Sequence, residues 1–225
     1  MVTRHRGART LLGAVLAGSL ALTLAACGGD DDGGEKEADA SVAATALCGG
    51  KAVSARAAEA LATITGADRF EASGTTSTVA NAAAGITDEG VSTTVGDGDI
   101  CRIYPTAPDA SVDELRVEWR MTSGAPKGPF ADEFTLLPMG EATGAAPDQA
   151  FVAFACEGGD LPGDTPRHLQ AEVGRGGMPV PPDGDEQKLR EAYATVAHSF
   201  AVSLAKELGC RDAGGLPAKP VLKPA

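Results

Sequence analysis

The chain is short of aromatic residues and of bases. Its 225 residues include one tryptophan, two tyrosines, six phenylalanines and three histidines. Apolar residues still make up 43%, so alanine carries much of the hydrophobic count. Alanine buries little area, at roughly 25 cal/mol per Å². With 29 glycines and 14 prolines diluting it further, such a core is thin for its length and calls for another staple. The 19 bases face 31 acids, for a formal charge of −12. That balance argues against a nucleic-acid binder, which needs a positive footprint, and against a surface held to anionic lipid by charge alone. The chain has no heptad pattern, no glycine period and no repeated long apolar runs. Coiled coil, collagen and polytopic membrane protein are thereby excluded.

What is present begins at the amino terminus. Arg4, Arg6 and Arg9 stand without an acid, and no charge follows from Leu11 to Ala26. A basic start, an apolar stretch and small residues at its end make a secretory signal peptide; the apolar stretch is short of the ~20 residues a spanning helix needs. Its end, Leu24-Ala25-Ala26-Cys27, resembles the lipobox of bacterial lipoproteins. The resemblance implies cleavage before Cys27, a diacylglycerol on its sulfur, and anchoring to the outer face of the plasma membrane. Two or three acyl chains hold stably where one does not. Arg4 and Arg6 are split by His5, so there is no twin-arginine pair and export is expected unfolded, by the general secretory route.

Four segments follow from this reading: a signal peptide over 1–26, lipidated Cys27 with an acidic tether over 27–46, one extracytoplasmic domain over 47–216, and a tail over 217–225. The tether carries Asp30, Asp31, Asp32, Glu35, Glu37 and Asp39 against Lys36. It cannot bury enough apolar surface to order itself and as a coil spans ~25 Å. The tail, punctuated by Pro217, Pro220 and Pro224, is expected to be disordered as well.

Within the domain, Val53, Ala57, Leu61 and Ile64 share a helical face between a Ser54 cap and Gly66. A second short helix ends at Gly85. Leu115, Val117, Trp119 and Met121 alternate with Arg116, Glu118 and Arg120, the period of a strand with one wet face. Ala150 to Glu157 is a continuous apolar run, suited to a strand buried on both faces. Asp99–Tyr104, His168–Val173 and Glu133–Leu137 supply further strands. The longest element places Leu189, Tyr193, Val196, Phe200, Leu204 and Leu208 on one helical face, capped by Asp183 with Glu186. Helices and strands do not alternate, so the expected fold is α+β: an antiparallel sheet of about five strands, an N-terminal helix pair and a long C-terminal helix packed on it.

Cys48, Cys101, Cys156 and Cys210 are even in number and sit behind an export signal, so two disulfides are expected. No CxxC spacing or histidine cluster supports a metal site. Cys48–Cys210 with Cys101–Cys156 is favoured: Cys101 begins a strand and Cys156 ends one, while Cys48 precedes the first helix and Cys210 follows the last. The sequential alternative, Cys48–Cys101 with Cys156–Cys210, stays open.

Lipobox, acidic glycine-rich tether, LCGG before an alanine-rich helix, CRIY on a strand and a last helix ending KELGC together resemble the secreted lipoproteins of high-GC Gram-positive bacteria, the Streptomyces type of actinobacteria. In outline the layout is similar to two-disulfide extracytoplasmic sensor domains of actinobacterial kinases. The resemblance implies location and fold class.

No catalytic set is recognised. His198 lies opposite the apolar stripe of its helix and reads as solvent-facing or helix-packing. His168, with Asp164 nearby in sequence, lacks a serine in a nucleophile-elbow context. Asp97 with Asp99, and Asp183 with Asp185 and Glu186, miss the spacing of a calcium loop and read as turns or caps. Gly174–Gly177 is not followed by a helix, so no phosphate cradle is indicated. Trp119 reads as buried.

The leading expectation is thus a non-catalytic binding or interaction module, sensor-like, with no cofactor or metal. Its partners would be the membrane through Cys27 and an envelope protein or small-molecule ligand, not nucleic acid. The alternatives are an envelope hydrolase with an acid-based site and a subunit that modulates an envelope protein through its acidic surface. Loss of Arg4, Arg6 and Arg9 with the signal peptide takes the charge from −12 to −15.

Overall fold

Ser54 accepts a hydrogen bond from the Ala57 amide and so starts helix α1 (Ala55–Thr65), which stops at Gly66 with φ 73°. These are the cap and stop that the sequence indicates. The computed structural model describes residues 41–177 and 182–224. The signal peptide, Cys27 and the acidic run of the tether lie outside the described residues.

Strand β1 (Ser41–Ala43) pairs antiparallel with β2 (Arg69–Glu71), and a 3-10 segment, Ala44–Gly49, leads from it toward α1. The tether's expected end at Ala46 is therefore corrected: backbone pairing with β2 orders the chain from Ser41. Helix α2 runs Val79–Gly90, past the expected end at Gly85, because Ile86 is fully buried and extends the apolar face by a turn.

Six antiparallel strands form the main sheet: β3 (Gly96–Ile103), β4 (Leu115–Thr122), β5 (Thr135–Leu136), β6 (Ala142–Ala145), β7 (Gln149–Cys156) and β8 (Arg167–Arg175). Their order is β3-β4-β8-β7-β6-β5. The register aligns Val117 with Val173, Trp119 with Ala171 and Met121 with Leu169, and continues through Val152 and Phe154 of β7. All of these side chains are buried and form the inner face. Gly98 of β3 stands opposite Trp119, where a Cβ would come within 2.8 Å of the indole nitrogen; glycine there makes room for the single tryptophan.

Helix α3 (Glu186–Glu207) packs on β6, β7 and β8, with α1 and α2 against it. Every residue from Ala192 to Ala201 is buried, so the helix is covered on both sides and not only along one stripe. Ala192, Ala194, Ala197, Ala201 and Ala205 let its neighbours approach closely, which is how an alanine-rich composition makes a dense core. The N-cap is Asp185, which accepts from the Lys188 amide at 3.0 Å. This corrects the expected Asp183–Glu186 capping box by two residues.

The disulfides are Cys48–Cys101 and Cys156–Cys210, with Cα–Cα distances of 5.7 and 4.8 Å. The favoured pairing, Cys48–Cys210 with Cys101–Cys156, is overturned. Cys101 lies on edge strand β3 and Cys156 on β7, with β4 and β8 between them. At about 4.8 Å per strand that separation is far beyond a bridge. The first and last helices do pack together, but the 3-10 segment carries Cys48 to β3 and α2, while Gly209 and Arg211 carry Cys210 to the end of β7, where the Arg211 amide donates to Glu157 O at 2.9 Å. The tail is a further correction. Pro217 is held by His198, the Val221 amide meets Met139 Sδ at 3.0 Å, and Leu222 packs on the core.

Candidate functional site

The principal cavity, about 580 Å³, opens between α1, α3 and the C-terminal tail. Serines hold its floor. Ser199 on α3 donates to Ala52 O at 2.8 Å and accepts from the Ser54 amide at 3.0 Å; Ser203, one turn on, donates to Lys51 O at 3.3 Å. These bonds pin the start of α1 to α3. The tail forms the opposite wall through Ala218, Lys219 and Pro220.

His198 joins the two sides. It is 4% exposed and lines the cavity, and its Nε2 lies 2.8 Å from Pro217 O. A carbonyl only accepts, so Nε2 carries the proton and donates. Burial pushes the imidazole pKa below its ordinary 6.5, against the opposing pull of the Pro217 bond. The ring is therefore neutral at pH 7, and Nδ1 is its unprotonated nitrogen. His198 is thus helix-packing, one of the two readings of the sequence.

The rim is basic. Lys51, Arg56, Lys206 and Lys219 face a single carboxylate, Glu207, in a chain whose acids outnumber its bases by 12. Five arginines elsewhere are neutralised locally: Arg102 by Asp99 and Glu114, Arg116 by Glu114, Arg120 by Glu172, Arg190 by Glu186 and Arg211 by Glu157. None of the four rim cations has an ion-pair partner within 4.0 Å among the described residues. This set was not found by sequence reasoning. The cations come from three separated stretches, and the one local sign was the polar pair His198-Ser199 inside an apolar helix.

The outer face of the sheet carries a second groove of about 430 Å³, lined by Arg116, Glu118, Gln170 and Glu172 beside three phenylalanines. Phe134 meets Phe151 edge-on at 5.2 Å and Phe130 lies 5.7 Å from it, fastening the segment after β4 over the sheet. Phe151 on this face and Phe154 on the other account for the double-sided burial expected of Ala150–Glu157. Near the edge, His168 Nδ1 lies 2.8 Å from Glu141 Oε2. Its partner is therefore Glu141 and not Asp164, and no hydroxyl or thiol hydrogen-bonds the ring among the described residues.

The remaining candidates fall to structural roles. Asp99 pairs with Arg102, Gly174 ends on β8, the Gly176 amide donates to Glu114 O, and Trp119 is 4% exposed in the core. Among the described residues no cluster of three or more His, Cys, Asp or Glu could hold a metal, and no helix is long and apolar enough to cross a membrane. Compared with known protein families, with curated proteins and with solved structures, the chain matches none.

Proposed function

We propose that the chain is an extracytoplasmic lipoprotein, anchored through Cys27 to the outer face of a bacterial plasma membrane, whose domain is a non-catalytic binding module for a small molecule. The observation that carries the reading is the cavity between α1, α3 and the tail. At about 580 Å³ it lies within the 300–1,000 Å³ span of small-molecule sites. The hydroxyls of Ser199 and Ser203 donate to backbone carbonyls, so they serve as struts of the site and not as nucleophiles. Anchoring is supported by the basic start, the apolar stretch and the LAAC sequence ending at Cys27. Two disulfides suit an oxidising compartment.

Two measurements test the parts separately. A fatty-acid analogue should label the wild-type protein and not Cys27→Ser; label retained in the variant counts against the anchor. Native mass spectrometry after exposure to the small-molecule fraction of an envelope extract should show a bound mass on wild type that is lost in Val202→Trp, which puts an indole into the cavity from α3. A bound mass unchanged by that substitution, or none on either protein, counts against the site.

A further inference from the structure

The groove on the outer face of the sheet is a separate opening from the cavity between α1, α3 and the tail, and shares no residue with it. Leu115, Val117 and Trp119 fill the core, so strand alternation turns Arg116 and Glu118 of β4 outward, beside Gln170 and Glu172 of β8. Gln149 at the start of β7 and Arg175 at the end of β8 complete a set of six polar side chains. Each ends in a planar guanidinium, carboxylate or carboxamide, a fork that can meet two neighbouring polar atoms at once.

Most of these forks are held in place by the protein itself. Arg116 Nε lies 3.3 Å from Glu114 Oε1, Arg175 donates to Ser111 O at 2.8 Å, and Gln170 donates to Glu172. Glu118 is the exception. It is half-buried, stands directly opposite Glu172 in the register, and has no side-chain hydrogen bond or ion pair among the described residues. Carboxylates facing each other across strands repel, and hydroxyl donors placed between them relieve that repulsion. Half of the six phenylalanines line the same groove. Phe70, Phe154 and Phe200 are fully buried in the core, whereas Phe130 and Phe134 stay partly open beside Phe151.

The lining narrows the ligand. Two arginines face two glutamates, so an anion meets carboxylates and a cation meets guanidiniums. A hydrocarbon would leave the six forks without water or partner. An α-amino acid balances the charges but brings only one ammonium and one carboxylate to them. An uncharged pyranoside brings several hydroxyls, each both donor and acceptor. Its C–H groups, polarised by neighbouring oxygens, suit aromatic rings, whose faces carry negative charge density. At about 430 Å³ the groove lies within the span of small-molecule sites.

We propose that this groove binds an uncharged pyranoside of one or two rings, its hydroxyls held by Arg116, Glu118, Gln170 and Glu172 and its C–H groups packed on the phenylalanine side. The same chemistry occurs in free sugars and along polymeric glycans.

The test is calorimetric titration of the full mature chain carrying Cys27→Ser, which removes the anchor. The pyranoside probes are cellobiose and N,N′-diacetylchitobiose; sorbitol is the open-chain polyol, and glucosamine, glucuronate and leucine are the charged probes. At least one disaccharide should bind about ten-fold or more tighter than any other probe. Glu118→Ala should weaken that binding by about ten-fold or more, and Gln170→Ala, at a second fork, should weaken it too. Glu118→Gln keeps an acceptor oxygen without the charge and should cost less than Glu118→Ala. Val202→Trp should leave the disaccharide affinity unchanged. Co-sedimentation with insoluble cellulose and chitin separates the sources: capture that the free disaccharide reverses assigns the groove to a polymer, and disaccharide binding without capture assigns it to a free sugar. Binding of sorbitol or a charged probe as tight as that of the disaccharides overturns the proposal. So does an affinity unmoved in both Glu118→Ala and Gln170→Ala, or no binding of any probe; each leaves the cavity between α1 and α3 to its own test. Disaccharide binding lost in Val202→Trp and kept in Glu118→Ala moves the sugar to that cavity, overturning the groove and supporting the cavity as ligand site.

Discussion

His198 ties the tail to α3 as a neutral ring, and that makes stability depend on pH in a definite direction. Its pKa in the fold lies below the ordinary 6.5 because burial disfavours the charged form. Above 6.5 both folded and unfolded states are neutral there and the residue contributes no slope. As pH falls below 6.5 the unfolded chain takes up the proton first, so stability declines until the folded-state pKa is reached. Urea unfolding at pH 7.5 and 5.5 should show a larger loss for wild type than for His198→Gln, whose amide nitrogen can still donate to Pro217 O. An equal loss in both would place the sensitivity elsewhere. At this scale the sequence was partly legible. The position of His198 opposite the apolar stripe followed from helical spacing, but its partner at Pro217 did not, because the tail that supplies the carbonyl reads as loose. Lys51, Arg56, Lys206 and Lys219 were illegible for the same reason: nothing in any one stretch says the four meet.

Individual elements were read best where a local rule decides them. Ser54 and Gly66 bound α1 because cap and stop are properties of neighbouring residues. β4 alternates because one face is wet, with Arg120 reaching Glu172 across to β8 at 3.6 Å. β6, with the sequence Ala-Thr-Gly-Ala, has neither alternation nor β-branched density and is a strand only because β7 pairs with it. The start of α3 shows how a local rule can slip by two positions. Asp183 and Asp185 both precede the helix, and only Asp185 bonds a first-turn amide. Asp185→Ala should therefore cost about 1 kcal/mol, while Asp183→Ala, exposed and outside the helix, should stay within about 0.5 kcal/mol of wild type. Chemical denaturation of the two variants separates them, and the reverse ranking would restore the capping box.

The fold class was legible at the scale of the whole molecule because the strands of the main sheet, β3 to β8, follow one another without a helix between them. The disulfide pairing was not, because it depends on strand order, which no segment encodes. With β4 and β8 inserted between β3 and β7, each cysteine is bridged to one nearby in sequence order: Cys48–Cys101 fastens the start of the domain to the edge strand, and Cys156–Cys210 fastens the end of α3 to β7. Gly159 and Gly209 meet beside the second bridge, where any side chain at Gly159 would fall on the Leu208 carbonyl. The two bonds close spans of 53 and 54 residues, worth about 4 kcal/mol each on the chain-entropy view and about 2–4 in practice. Non-reducing peptide mapping should recover the 48–101 and 156–210 pairs, and Cys156→Ala with Cys210→Ala should lower the unfolding free energy by about 2–4 kcal/mol. The second bridge also holds the segment from which the cavity's tail wall departs. Its loss should therefore weaken ligand binding and stability together, whereas a cavity variant such as Lys219→Ala should weaken binding alone; equal binding by the bridge-free protein would show that the tail is seated by His198 and Met139 without help from the disulfide.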